Sequence, residues 1–85
     1  MNNIQWQADS PPHVGWWNCS FGKNNFPSNV WRWWNGEVWS VALTKWDFLR
    51  DVDKLAGCKE SPRMNKYITW CDYYPADARV PRVKP

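Results

Sequence analysis

Val30-Trp31-Arg32-Trp33-Trp34-Asn35-Gly36-Glu37-Val38-Trp39-Ser40-Val41-Ala42-Leu43 is the stretch on which the fold turns. Two β-favouring runs flank Asn-Gly, the dipeptide of a type I′ hairpin turn, because both central residues of that turn need φ > 0. A two-residue loop fixes the register. Trp34 then faces Glu37, Trp33 faces Val38 and Arg32 faces Trp39. Alternation sorts the side chains onto two faces. One holds Val30, Arg32, Trp34, Glu37, Trp39, Val41 and Leu43; the other holds Trp31, Trp33, Val38, Ser40 and Ala42. A half-exposed antiparallel sheet keeps one face polar. Here both carry large aromatics, so either the rest of the chain covers both faces or one face is a binding surface.

Working outward, residues 1–12 end in Ser10-Pro11-Pro12 and read as an extended lead-in. The segment 13–21 is aromatic and strand-like and stops at the Gly/Asn/Pro/Ser cluster of 22–29, a loop. After the hairpin, Thr44-Lys45-Trp46-Asp47 has capping-box spacing, with Asp in place of Glu or Gln. It predicts one helix over 45–56, with Phe48, Leu49, Val52, Leu55 and Ala56 as its apolar stripe. Asp47 with Arg50 and Asp51 with Lys54 are i,i+3 pairs on its solvated side, and Gly57 suits the position after its end. Residues 58–65 read as a loop and 66–74 as a further strand ended by Pro75, with the tail 76–85 extended and basic. The order β, ββ-hairpin, α, β implies an α+β domain: a small antiparallel sheet with one amphipathic helix packed on it. The folded core is expected over 13–74, within a single domain.

A chain of 85 residues has room for one core. Its apolar payload is concentrated in 9 Trp, 3 Tyr and 3 Phe. One buried Trp removes on the order of 200 Å² from water, about 5 kcal/mol at most. Nine exceed what stability alone asks of a domain this size, and the surplus points to binding. The +3 net charge lies in 58–85, where Lys59, Arg63, Lys66, Arg79, Arg82 and Lys84 outnumber Glu60, Asp72 and Asp77. A basic tail suits an acidic partner surface or a phosphate backbone, and equally a solvated end with no partner. Cys19, Cys58 and Cys71 cannot all pair within one chain. The start is polar, with no apolar leader, and no run of about 18 apolar residues exists for a membrane span. The expectation is a cytoplasmic protein with free thiols.

Catalysis finds little support. The one His, His13, is six residues from Cys19, too far along a strand for a Cys–His nucleophile, and the helix carboxylates read as a solvated face. His13 with the three Cys lacks the close ligand pairs of a zinc site, and the four Gly are isolated rather than a phosphate loop, so no cofactor or metal is expected. Aromatic binding remains. Trp, Tyr and Arg dominate protein interface hot spots. Stacking aromatics with basic residues also hold single-stranded nucleic acid, although +3 is thin for a phosphate-driven binder. If the hairpin surface binds, the contacts are Arg32, Trp34 and Trp39, with Arg79 and Arg82 assisting, and Trp31 and Trp33 form the core. The polar pair Arg32 and Glu37 tips the first face toward solvent. Arg32 opposite Trp39 is equally a structural cation–π pair, and an uncovered aromatic face also suits a homodimer interface.

Gly15-Trp16-Trp17-Asn18, Trp31-Arg32-Trp33-Trp34-Asn35-Gly36 with Trp39-Ser40, Ile68-Thr69-Trp70-Cys71, Tyr74-Pro75 and Ala78-Arg79-Val80-Pro81-Arg82 together resemble small Trp-rich proteins encoded by bacteriophages and prophages. The resemblance covers most of 11–85 and brings no activity or functional residues with it. What it implies is a setting: a non-enzymatic accessory protein in the host cytoplasm that binds and inhibits a host protein complex, a defence or CRISPR machine being one such target. Single-stranded nucleic-acid binding and a structural or assembly role in the virion are the alternatives.

Overall fold

β1, Gly15–Phe21, is paired on both sides, antiparallel to β2, Val30–Trp34, and to β4, Ile68–Cys71; β3, Leu43–Thr44, lies beyond β2. The computed structural model describes residues 5–22, 26–49, 51–77 and 80–81. The sheet has the order β3-β2-β1-β4, and with the short helices α1, Val52–Ala56, and α2, Pro62–Asn65, the chain is an α+β fold. Register brings Trp16 opposite Trp33 and Trp17 opposite Arg32 across β1 and β2, and Cys19 opposite Trp70 across β1 and β4.

The hairpin differs from the sequence expectation. Trp34 pairs with Trp39, so the loop is four residues long, 35–38, and not two. The reason is Asn35. No non-glycine residue among those described takes positive φ; Asn35 instead uses its side chain, whose Oδ1 accepts from the Glu37 and Val38 N–H groups, both at 2.8 Å. Within this loop only Gly36 turns left-handed, at φ +102°. The register moves by two residues, which leaves Arg32, Trp34 and Trp39 on one face as expected. Further along, Trp31 pairs with Leu43, so Arg32 and Trp33 face Ser40, Val41 and Ala42. The extra residue is a bulge. It moves Leu43 off the Arg32 face and into the cluster around Trp31.

The expected helix over 45–56 divides into a 3-10 turn, Asp47–Leu49, and α1. Asp47 does reach back to Thr44, accepting from its N–H at 2.8 Å. A second cap then restarts the chain: Asp51, at ψ 84°, accepts from the Lys54 N–H rather than pairing with its ammonium. The break frees Phe48 to enter the core edge-on to Trp16, 4.8 Å between centroids. Gly57 stays right-handed at φ −81° and serves as the C-cap. The stretch 58–65, expected as a loop, contains α2, capped by Ser61 with Pro62 at its start.

Two apolar clusters sit on opposite sheet faces. Trp17, Cys19, Trp34, Trp39 and Ile68, with Trp70 against them, form one; Trp16, Trp31, Leu43 and Phe48, with Trp33, Val52, Leu55, Ala56, Tyr73 and Val80, form the other. Helix α1 contributes to the second. Toward the first come α2 and the lead-in, which is part of the folded unit: Trp6 and Pro11 are buried, and Gln7 pairs with Trp70 through two backbone hydrogen bonds of 2.9 Å. Fully buried Asn18 ties the 26–30 loop to β1, donating to Ser28 O at 2.9 Å and accepting from the Ser28 N–H at 2.9 Å.

Candidate partner-binding cleft

The face expected to meet solvent is covered. Arg32 is 6% exposed, Trp34 8% and Trp39 4%. The expectation that Arg32 and Glu37 would hold this face outward fails because Arg32 has a different partner. Its Nη1 donates to Glu60 Oε1 at 2.9 Å and to the Ser40 carbonyl at 3.0 Å, and its guanidinium lies 5.5 Å from the Phe21 ring centroid, not over Trp39. Glu60 arrives on the segment between α1 and α2, which pairs with the hairpin's second arm: Val41 N–H donates to Cys58 O and Glu60 N–H to Trp39 O. The hydrogen bond from Arg32 holds the Glu60 carboxyl below its usual range. Trp31 is core as expected, while Trp33 is only half-buried. Arg79 and Arg82 lie outside the described residues.

Trp34 and Trp39 line a cleft of about 410 Å³. Their rings stand 5.0 Å apart at 54° and, with Ile68, form its apolar floor. Three segments distant in sequence make the walls: Ala8, Asp9 and Ser10 of the lead-in, Glu37 and Val38 of the hairpin tip, and Pro62, Asn65 and Lys66 at α2. Asn65 locks the wall to the floor. Its Oδ1 accepts from the Trp39 N–H at 2.7 Å, and its Nδ2 donates to Glu60 O at 3.1 Å. The rim electrostatics are lopsided. Asp9 and Glu37 have no ion-pair partner among the described residues, and Lys66 is turned over the Tyr67 ring, 5.1 Å from its centroid. A second cleft of about 370 Å³ lies on the opposite face, with Trp16, Trp33, Asp53 and Lys59 in its lining.

The aromatics that face solvent are not those of the hairpin. Phe26 is 71% exposed and Trp46 66%, and Phe21 and Tyr67 are also exposed. Lys45 lies 4.9 Å over Trp46 and pairs with Asp77 at 2.7 Å. The polar cluster around Phe26 and the position of Trp46 at the start of a helical segment were signals of exposure in the sequence; the weight of Trp in the hairpin hid them.

The thiols are unpaired. Burial pushes the Cys19 thiol well above its usual value, with Arg32 pulling only part of the way back, and burial with the Asp72 charge pushes Cys71 up to about 12. Both are therefore protonated at neutral pH and poor nucleophiles. Cys58 is exposed. His13 packs its ring 4.9 Å from that of Trp17 and is engaged through Nδ1 with Val14 O. Among the described residues no three His, Cys, Asp or Glu side chains converge as a metal site would require, and no helix is long and apolar enough to cross a membrane. Compared with known proteins, the chain matches no family model, no curated protein and no solved structure.

Proposed function

We propose that the chain is a non-enzymatic binding protein that engages a protein partner through the Trp34/Trp39 cleft. The observation that carries this reading is the cleft's lining: an aromatic floor held rigid by Asn65 beneath two carboxylates without ion-pair partners among the described residues. Rigid aromatics beside charged groups are what protein interfaces use as anchors. The same lining argues against nucleic acid at this site, because Asp9 and Glu37 repel phosphate and the nearby Arg32 is already committed to Glu60. The resemblance to phage accessory proteins favours a host complex as the partner, and inhibition of that complex as the outcome.

The test is an affinity pull-down of the tagged protein from bacterial lysate, with and without nuclease, read by mass spectrometry. One protein complex recovered in both arms is the expected result. Recovery only of nucleic-acid-binding proteins, lost on nuclease treatment, would overturn the reading.

A further inference from the structure

We infer that the guest of the Trp34/Trp39 cleft is an arginine side chain presented by the protein partner. The inference rests on the proposed binding role and gives it a chemistry. At about 410 Å³ the cleft lies near the small end of ligand pockets, suited to a side chain and its flanking backbone rather than to a broad flat contact. Trp34, Trp39 and Ile68 in its lining are nearly buried, 8%, 4% and 3% exposed, and ask for a group that packs against apolar carbon. Its rim asks for positive charge, since Asp9 and Glu37 outnumber Lys66 and neither pairs with it. Lys66 sits over Tyr67, where its charge is held by another ring.

A guanidinium meets both demands at once. It is planar, packs against aromatic and aliphatic carbon and gives up its water more readily than an ammonium, and its fork of donors suits carboxylate oxygens. An acidic peptide or a phosphate meets the floor but is repelled by the rim. The opposite cleft sets no such demand, because Asp53 and Lys59 bring charge of both signs to it. Asn65 fixes the floor by holding the Trp39 backbone, and Trp34 and Trp39 pack against each other, so the site needs little ordering when a guest enters.

The experiment is a titration of ¹⁵N-indole-labelled protein, in which each of the 9 Trp contributes one indole N–H signal, assigned by single Trp→Phe variants. The probes are N-acetyl-arginine amide, its neutral isostere N-acetyl-citrulline amide, N-acetyl-glutamate amide and inorganic phosphate. The arginine probe is expected to shift the Trp34 and Trp39 signals saturably and leave Trp31 still, with the other three probes without effect. The D9N/E37Q double variant is expected to weaken arginine binding about tenfold while its Trp16 and Trp31 signals match the parent. Absence of a saturable arginine shift, an equal response to citrulline, or unchanged affinity in the double variant would overturn the inference. The pull-down separates the two levels. A complex recovered equally by parent and D9N/E37Q keeps the protein-partner role and removes the arginine assignment. Arginine shifts without any recovered protein keep the cleft's chemistry and remove the role.

Discussion

Replacing Glu60 by alanine leaves a guanidinium buried without its counter-charge. The Arg32 side chain is 7% exposed and Glu60 25%, and their 2.9 Å hydrogen bond bridges the hairpin and the segment leading into α2. Removing one partner of a buried pair costs about 3–5 kcal/mol, and the partial exposure of Glu60 places this case near the lower end, about 3 kcal/mol. R32M is the informative contrast. It removes the charge that cannot hydrate and leaves Glu60, which can, with its Oε2 still accepting from the Ser61 N–H at 3.0 Å. The loss there is about 1 kcal/mol, that of one hydrogen bond to the Ser40 carbonyl offset by apolar packing. In a domain of this length each kcal/mol moves Tm by about 4–8 °C, so E60A is expected to fall about 12–24 °C and R32M about 4–8 °C. Thermal unfolding followed by near-UV circular dichroism reads both. An R32M variant as unstable as E60A, or an E60A variant within a few degrees of the parent, would refute the assignment of Arg32 as a buried charge dependent on Glu60.

Glu60 also sets a pH dependence. Its folded pKa is depressed by the Arg32 hydrogen bond, so the stabilisation is present above the unfolded value near 4.5 and is lost as pH falls through the folded one. Urea unfolding between pH 3 and 7 should show an acid limb that E60Q flattens; Asp77, held low by Lys45, acts in the same direction and keeps E60Q from being wholly flat. Thiol labelling at neutral pH should consume Cys58 quickly and reach Cys19 and Cys71 only on unfolding, and fast loss of a second thiol would contradict their burial. N65A should cost about 1–3 kcal/mol by stranding the Trp39 N–H, and should weaken arginine binding while the Trp16 and Trp31 indole signals stay in place; unchanged binding would detach Asn65 from the cleft.

β1, β2 and β4 were legible because alternation and β-branched or aromatic side chains state them locally. The hairpin's second arm, expected as a strand up to Leu43, forms one only at Leu43–Thr44. Legible too was the dilemma of the two-faced hairpin. Its resolution was not, because the cover for the Arg32 face comes from Glu60 and from the lead-in, 28 residues downstream and more than 20 upstream, and nothing near Arg32 announces either. The loop of 35–38 was misread for a local reason. Asn35 had two ways to make a turn, by backbone at positive φ or by side chain, and took the second. Asp51 likewise had a charge partner and a backbone partner in the same residue, Lys54, and took the backbone. Helix α2 has a local signature, Ser61 followed by Pro62, but at four residues it has no apolar stripe to mark it as a helix. The sequence reading placed Trp34 and Trp39 on an exposed hairpin surface; both are buried, and they line a cleft that three distant segments complete.

The most direct test of the cleft as the contact site is photo-crosslinking of the partner complex with p-benzoylphenylalanine placed at Ala8, in the cleft lining, or at Asp53 on the opposite face. Crosslinks to the partner from position 8, with position 53 silent, are the result the account predicts. Crosslinks from position 53 with position 8 silent, while the complex still forms, would contradict it.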